Sequence, residues 1–161
     1  MNDYLLSPMF LKRLFVVYLL LQVSVALILR NVTGNPLDVL IFQCSIAPES
    51  FKSILEGWGE EGLFFHHAHY FPDFFLPIAY ALLLRGLIFQ LRGKTRLMLL
   101  PVIAGISDQV ENVIHFTLTL NQELIFTPLF YVGMVAVYLK WFTALLSVGL
   151  IGKAYLAFLK T

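Results

Sequence analysis

Four polar residues stand at helical spacing inside an otherwise apolar stretch of the chain. Asp108, Glu111, Asn112 and His115 occupy relative positions 0, 3, 4 and 7, which places them on one face of an α-helix. Two carboxyls, an amide and an imidazole on one face are suited to proton transfer or to binding a polar ligand. We therefore treat this face as a candidate site.

Two further apolar stretches carry polar side chains that complement this face. His69, Asp73 and Tyr80 share one face of the preceding stretch at 100° per residue. Lys140, followed by Trp141, interrupts the last stretch. Because ionisable residues within a membrane span tend to face the interior of a helix bundle, we expect these groups to meet one another rather than lipid.

The composition defines the class of protein that must position these residues. The chain has 161 residues, of which 59% are hydrophobic and 13% charged, whereas soluble domains average about 45–50% and about 25%. This excludes a disordered chain and a basic nucleic-acid binder, so no nucleic-acid partner is expected. The single cysteine, Cys44, allows no internal disulfide. The chain is predicted to be an integral membrane protein.

Apolar runs of about 20 residues predict the transmembrane helices. We predict an all-α, four-transmembrane-helix bundle forming a single domain over residues 1–161, with a long outer loop over 31–63. The helices are expected at about residues 10–30, 64–91, 97–120 and 125–158.

The distribution of basic residues predicts the orientation of the bundle. Lysine and arginine concentrate near the start of the first helix, around the joint between the second and third, and near the end of the fourth, at Lys12, Arg13, Arg85, Arg92, Lys94, Arg96, Lys153 and Lys160. Both termini are therefore expected on the cytoplasmic side.

The outer loop contains a candidate amphipathic helix. Pro48 and Glu49 suit a helix start, and glycines 57 and 59 suit its end. The apolar face consists of Phe51, Ile54, Leu55 and Trp58. The pattern fits a helix lying on the outer leaflet and fits a lid packed on the bundle equally well.

Helical rise places four ionisable groups at similar depths in the membrane. These groups are Asp73, Asp108, Glu111 and Lys140. One lysine does not neutralise three carboxyls, so the excess must be matched by a proton, a hydrogen-bond donor or a cation. We interpret these four as candidate catalytic residues for acid–base chemistry.

Structural interpretations of the same residues remain open. Lys140 could simply pair with one acid, Asn112 could join helices by hydrogen bonding, and His66, His67 and His69 could be interfacial anchors. The pairs His69–Asp73 and Glu111–His115 could also chelate a metal, although the Glu-x-x-His spacing of di-metal bundles is not met. No cofactor is assigned.

Several short motifs resemble those of an uncharacterised family of small bacterial four-helix integral membrane proteins. The motifs are Gly59–Gly62, Pro72–Tyr80, Pro101 with Asp108-x-x-Glu111-Asn112, and Lys140-Trp141. The resemblance implies a bacterial inner membrane location and a polar cluster made of the residues just described. No activity is known for that family, so the resemblance assigns none. In helix order and loop placement the chain is also similar to the sterol-isomerase and sigma-2-receptor superfamily, whose acidic groups line a cavity for a lipophilic ligand.

These observations favour a membrane protein with a site for a lipid or isoprenoid-like ligand, with membrane lipids as its surroundings. As an enzyme it would use the four ionisable groups as acids and bases. The expected ligand contacts are His69, Tyr80, Asn112, His115 and Trp141. The alternatives are a structural or partner-binding membrane subunit and a proton-coupled carrier working as an oligomer.

Overall fold

The computed structural model describes residues 7–33 and 36–159, which are almost entirely helical. Six α-helices follow one another in this part of the chain, with short 3₁₀ turns at Arg96–Leu99 and Gln122–Phe126. The helices are α1 (Pro8–Thr33), α2 (Pro36–Gln43), α3 (Pro48–Asp73), α4 (Leu76–Arg92), α5 (Leu100–Leu120) and α6 (Pro128–Phe158). The described residues form no strand, and the all-α prediction is confirmed.

Four helical segments are long and apolar enough to cross a membrane. They are Pro8–Thr33, Pro48–Arg92, Arg96–Leu120 and Pro128–Ala157. Two residues of the predicted outer loop, 34 and 35, and the basic residue Lys160 lie outside the described residues. The predicted number of spans is thus confirmed by helix length and composition.

The predicted outer loop is largely helical. The sequence did not predict the short helix α2, because a segment of eight residues is too short to show a helical period. The amphipathic segment begins at Pro48 as predicted, and its regular helix is interrupted at Gly59, whose φ of 64° and ψ of −175° favour glycine. Beyond Gly59 the chain resumes a helix that continues to Asp73.

The amphipathic segment, residues 48–58, packs on the bundle as a lid. Phe51 and Leu55 are buried against α5 and α6, where they contact a cluster that includes Ile114, Leu118 and Phe130. Phe51 also stacks on Phe42 of α2, with ring centroids 4.0 Å apart. Of the two arrangements that the sequence left open, the structure therefore has the lid.

The predicted helix over 64–91 is broken between α3 and α4. Pro77 lacks an N–H, so the Asp73 carbonyl four residues earlier loses its helical donor. The Asn112 side-chain amide donates to that carbonyl instead, at 3.4 Å, and Gln109 donates to the Phe74 carbonyl. Helix α5 thus satisfies the backbone at the break, as a membrane interior requires.

Helix α5 packs closely on its neighbours, and α1 lies against α3 and α4. At Gly105 the backbone of α5 approaches the Pro77 carbonyl of α4 so closely that a Cβ would lie 3.0 Å from it. Helix α1 packs on α3 and α4, and α6 packs on α5 and α4. Among the described residues α1 and α6 scarcely touch, which leaves a gap between them.

Candidate functional site

A cavity of about 480 Å³ lies between α1, α4 and α6, beneath α2. Most of its wall is apolar and includes Val25, Leu83 and Val148. One polar region of the wall, on α3 to α6, holds all of its carboxyl, imidazole and ammonium groups. It consists of five side chains that the sequence analysis singled out, namely His69, Asp73, Tyr80, Asp108 and Lys140.

Helix α2 covers this cavity and is held in place from two sides. Val39, Leu40 and Gln43 of α2 contribute to the cavity wall. On the far side of α2, Phe42 is fully buried among aromatic rings. The Tyr138 hydroxyl of α6 donates a hydrogen bond to the Cys44 carbonyl, at 3.2 Å. The α2 segment therefore forms a fixed roof.

The ammonium group of Lys140 joins α6 to α5 at the edge of the cavity. Its Nζ lies 3.1 Å from Oδ1 of Asp108, and it also binds Oε2 of Glu111. All three side chains are at least nine-tenths buried. Small residues around Lys140 on α6, including Ala136, allow this close approach of the two helices.

Asp73 and His69 form a second polar pair, one helical turn apart on α3. Oδ2 of Asp73 lies 3.9 Å from Nε2 of His69. The His69 Nδ1–H donates to the carbonyl of His66, so in the neutral imidazole Nε2 is the nitrogen that can accept a proton. Both residues line the cavity, and together they offer a proton acceptor and a carboxyl to a bound molecule.

Glu111, Asn112 and His115 lie behind the polar wall and do not line the cavity. Glu111 is fully buried, and its Oε1 is 3.7 Å from Nδ1 of His115. The His115 ring packs against both Phe42 and Phe51. The structure thus brings all three residues to the cluster, but places them where they support Lys140 and the helix break rather than contact a ligand in the cavity.

Tyr80 and Trp141 flank the ion pair. The Tyr80 hydroxyl lies beside the Asp108 carboxyl, and no hydrogen bond of regular geometry forms there. The Trp141 ring centroid is 5.5 Å from Nζ of Lys140, within the range of a cation–π contact. Both lie on the cavity wall, where the sequence analysis expected ligand contacts.

Three further polar residues of the cavity wall were not among those predicted from the sequence. They are Tyr18 and Gln22 of α1 and Gln43 of α2. A signal was available for the first two, because they stand four residues apart on one face of an otherwise apolar span. Gln43 lies on the helix that the sequence did not predict.

The neighbouring histidines belong to the protein interior. His66 is buried against Trp58 and Phe42, and His69 is likewise buried. The interpretation of these two as interfacial anchors is therefore wrong, since the α2 roof and the lid cover them. His67 is partly exposed, and its Nε2 lies 3.0 Å from the Thr119 hydroxyl.

No group of three His, Cys, Asp or Glu side chains within 7–33 and 36–159 has the geometry to hold a metal ion. The pairs at four-residue spacing each supply two donors, and neither pair is joined by a third.

No protein-family model, curated protein or solved structure matches this chain. The resemblance to small bacterial four-helix membrane proteins therefore stays a prediction. Its quoted motifs supply most of the polar cluster, including Asp73, Asp108 and Lys140.

Proposed function

We propose that this protein binds a lipophilic molecule in the cavity between α1, α4 and α6. The observation that carries the proposal is the pairing of a mostly apolar wall with a compact group of ionisable side chains on α3 to α6. Such a combination is typical of small-molecule sites, in which apolar surface supplies affinity and a few polar groups set the orientation.

The polar region also has the groups for acid–base chemistry on that molecule. Asp73 and His69 face the cavity as a carboxyl and an imidazole. In this proposal they exchange protons with the ligand, Asp108 and Tyr80 contact its polar group, and Lys140 holds Asp108 in place. Glu111 would act through Lys140, because it does not reach the cavity.

A second candidate function, a purely structural or partner-binding subunit, is favoured by one observation. The Glu111–Lys140–Asp108 contacts join α5 to α6, and a network of that kind locks helices together whether or not a ligand is bound. The two functions differ in what they predict for the cavity, since only ligand binding requires it to be open.

The decisive experiment measures ligand retention by native mass spectrometry after purification in a mild detergent. We expect the wild-type protein to carry a bound lipophile. Ala144→Phe would fill the cavity from α6 and should abolish retention. Val135→Phe, on an exposed position of the same helix, is the matched control and should retain the ligand.

A folded Ala144→Phe protein that retains the lipophile as the wild type does would refute the proposed site. Circular dichroism and thermal unfolding establish that each variant is folded. Glu111→Gln tests the role of this residue under the ligand-binding proposal: because Glu111 holds the helices and does not reach the cavity, we expect lost stability with unchanged retention.

We further propose that the protein resides in a bacterial inner membrane with both termini in the cytoplasm. The concentration of lysine and arginine at one end of the spans supports this orientation. In a Cys44→Ser background, a membrane-impermeant maleimide applied to intact cells should label Glu60→Cys and spare Lys153→Cys. Labelling of Lys153→Cys but not of Glu60→Cys would show the opposite topology.

A further inference from the structure

We propose that the ligand of this cavity has a single hydrocarbon chain and a head group that donates hydrogen bonds, and that it enters sideways from the bilayer. This inference rests on the ligand-binding function proposed above and specifies the chemical class of the ligand. Its three supports are the length and volume of the cavity, the charges of the polar region, and the gap between two helices.

The length of the cavity matches one leaflet of a bilayer. Its wall on α1 runs from Tyr18 to Leu29, which corresponds to about 16 Å along the helix. Half of the ~30 Å hydrocarbon core is about 15 Å. A chain that lies along α1 in the membrane could therefore shift into the cavity without a change of direction.

The volume of the cavity suits one chain. A volume of about 480 Å³ lies within the range of about 300–1,000 Å³ that is typical of sites for one drug-sized molecule. A single hydrocarbon chain with a small head group is a molecule of that size. One chain fits with room for its head group, whereas the second chain of a two-chain lipid would be left outside.

The charges of the polar region favour a head group that donates hydrogen bonds. The positive charge of Lys140 is already bound by Asp108 and Glu111. Asp73 is a third carboxyl, and with Asp108 it lines the cavity. An anionic head group would meet this excess of acids, whereas a hydroxyl group can donate to a carboxylate oxygen without bringing charge into the membrane.

The gap between α1 and α6 provides the route. Both helices line the cavity, yet their described residues scarcely touch. Leu145 of α6 both lines the cavity and is exposed on the outside of the protein. A lipophile can therefore pass from the membrane to the cavity between apolar surfaces, without crossing water.

The test uses Trp141, which lies on the cavity wall. The chain has two tryptophans, so Trp58→Phe leaves Trp141 as the single fluorophore. The protein is placed in lipid nanodiscs, and long-chain alcohols brominated in the middle of the chain are added. We expect saturable quenching of Trp141 at low mole fraction, reversed by the unbrominated alcohol.

Two further probes with the same brominated chain, an alkyl sulfate and a diacyl phosphatidylcholine, test the two parts of the proposal that concern the chemistry of the ligand. The alkyl sulfate has a fixed negative charge and so tests the head group. The diacyl phosphatidylcholine has two chains and so tests the number of chains. For both we expect only the weak, unsaturable quenching given by lipid outside the protein. Ala26→Phe, which narrows the cavity from α1, should abolish saturable quenching by the alcohol, whereas Val23→Phe on the exposed face of α1 should preserve it.

The outcomes separate this inference from the proposed function. Saturable quenching by the sulfate as strong as that by the alcohol overturns the donor head group, and equal quenching by the two-chain lipid overturns the single chain. In both cases the cavity still binds a lipophile and the proposed function stands. If no probe quenches saturably and native mass spectrometry of the wild type with the same probes shows no adduct, both fail.

Discussion

Lys140 and Asp108 form an ion pair across α6 and α5, with Nζ 3.1 Å from Oδ1. The same ammonium also binds Glu111, so one cation holds two buried carboxyls from a single helix. Asp108 faces the cavity and Glu111 does not. The pair therefore marks the boundary between the groups that a ligand can touch and the groups that hold the helices together.

Removing the cation should destabilise the protein strongly. Lys140→Met leaves Asp108 and Glu111 buried without their partner, which should lower the free energy of unfolding by about 3–5 kcal/mol. Lys153→Met, at an exposed position of the same helix, should change it by less than about 0.5 kcal/mol. Denaturant unfolding in detergent measures both free energies. A loss for Lys140→Met as small as that for Lys153→Met would show that the ion pair does not stabilise the protein. Adding Asp108→Asn and Glu111→Gln to Lys140→Met should restore part of the stability.

The effects of substitutions at Asn112 and Pro77 on the free energy of unfolding should depend on each other, because both residues determine how the Asp73 carbonyl is bonded. Asn112→Leu removes the donor to the Asp73 carbonyl and should cost about 1–3 kcal/mol. In a Pro77→Ala background the new N–H at position 77 can bond that carbonyl, so the same substitution should cost less. A double-mutant cycle on unfolding free energies measures the coupling. Additive effects would argue that the amide does not satisfy the break.

The lid should contribute to stability through one aromatic side chain. Phe51 is almost fully buried and lies in contact with Phe42 and Phe130, so Phe51→Ala should destabilise by about 3–5 kcal/mol. Phe64→Ala, at an exposed position of the same helix, is the control and should stay within about 0.5 kcal/mol. A similar small effect of both would place the lid away from the bundle.

The contact between α4 and α5 should tolerate no side chain at position 105. A Cβ there would lie 2.9 Å from Cβ of Ala81 and 3.0 Å from the Pro77 carbonyl. Since backbone cannot yield as a flexible side chain does, Gly105→Ala should destabilise by about 1–3 kcal/mol. Gly149→Ala meets no atom within 4 Å and should stabilise the helix by up to about 1 kcal/mol. A gain in melting temperature for Gly105→Ala would contradict the close approach.

Alkylation of Cys44 should require unusually high pH. Burial raises the pKa of this thiol above its ordinary value of 9.0, and the Glu111 carboxyl adds to the effect while Lys140 opposes it. A raised pKa lowers the thiolate fraction at neutral pH, so reaction with iodoacetamide should be slow at pH 7 and still increasing above pH 9. A rate that has already levelled off at pH 8 would contradict this. Glu111→Gln should shift the profile to lower pH.

The sequence predicted the membrane spans and the polar faces of the helices correctly because both depend on local geometry. Helical spacing alone places Asp108, Glu111 and Asn112 on one face, and an excess of apolar residues over about 20 positions identifies a span. The amphipathic segment starting at Pro48 was found for the same reason, since its period is visible within eleven residues. The sequence did not predict that this segment packs on the bundle, because either a lipid surface or a protein surface would bury Phe51.

Other features depend on contacts between residues far apart in the chain. The break at Phe74 and Phe75 is stable because Asn112, 39 positions from Asp73, donates to the carbonyl that Pro77 leaves unbonded. Helix α2 covers the cavity because Phe42 packs against the ring of Phe51 in the lid and the ring of His115 in α5. No local sequence pattern predicts the contact of Asn112 with the Asp73 carbonyl or the packing of Phe42.

The sequence by itself determined that Asp73, Asp108, Glu111 and Lys140 must be buried, because charged groups in a membrane span need partners other than lipid. Only the tertiary structure decided which of them face the cavity. Two carboxyls one turn apart on the same helix, Asp108 and Glu111, end in different surroundings because Lys140 binds both while α1 leaves space beside only one. The rotation of each helix and the gap between α1 and α6 are set by packing across the whole bundle, which no single segment of sequence specifies.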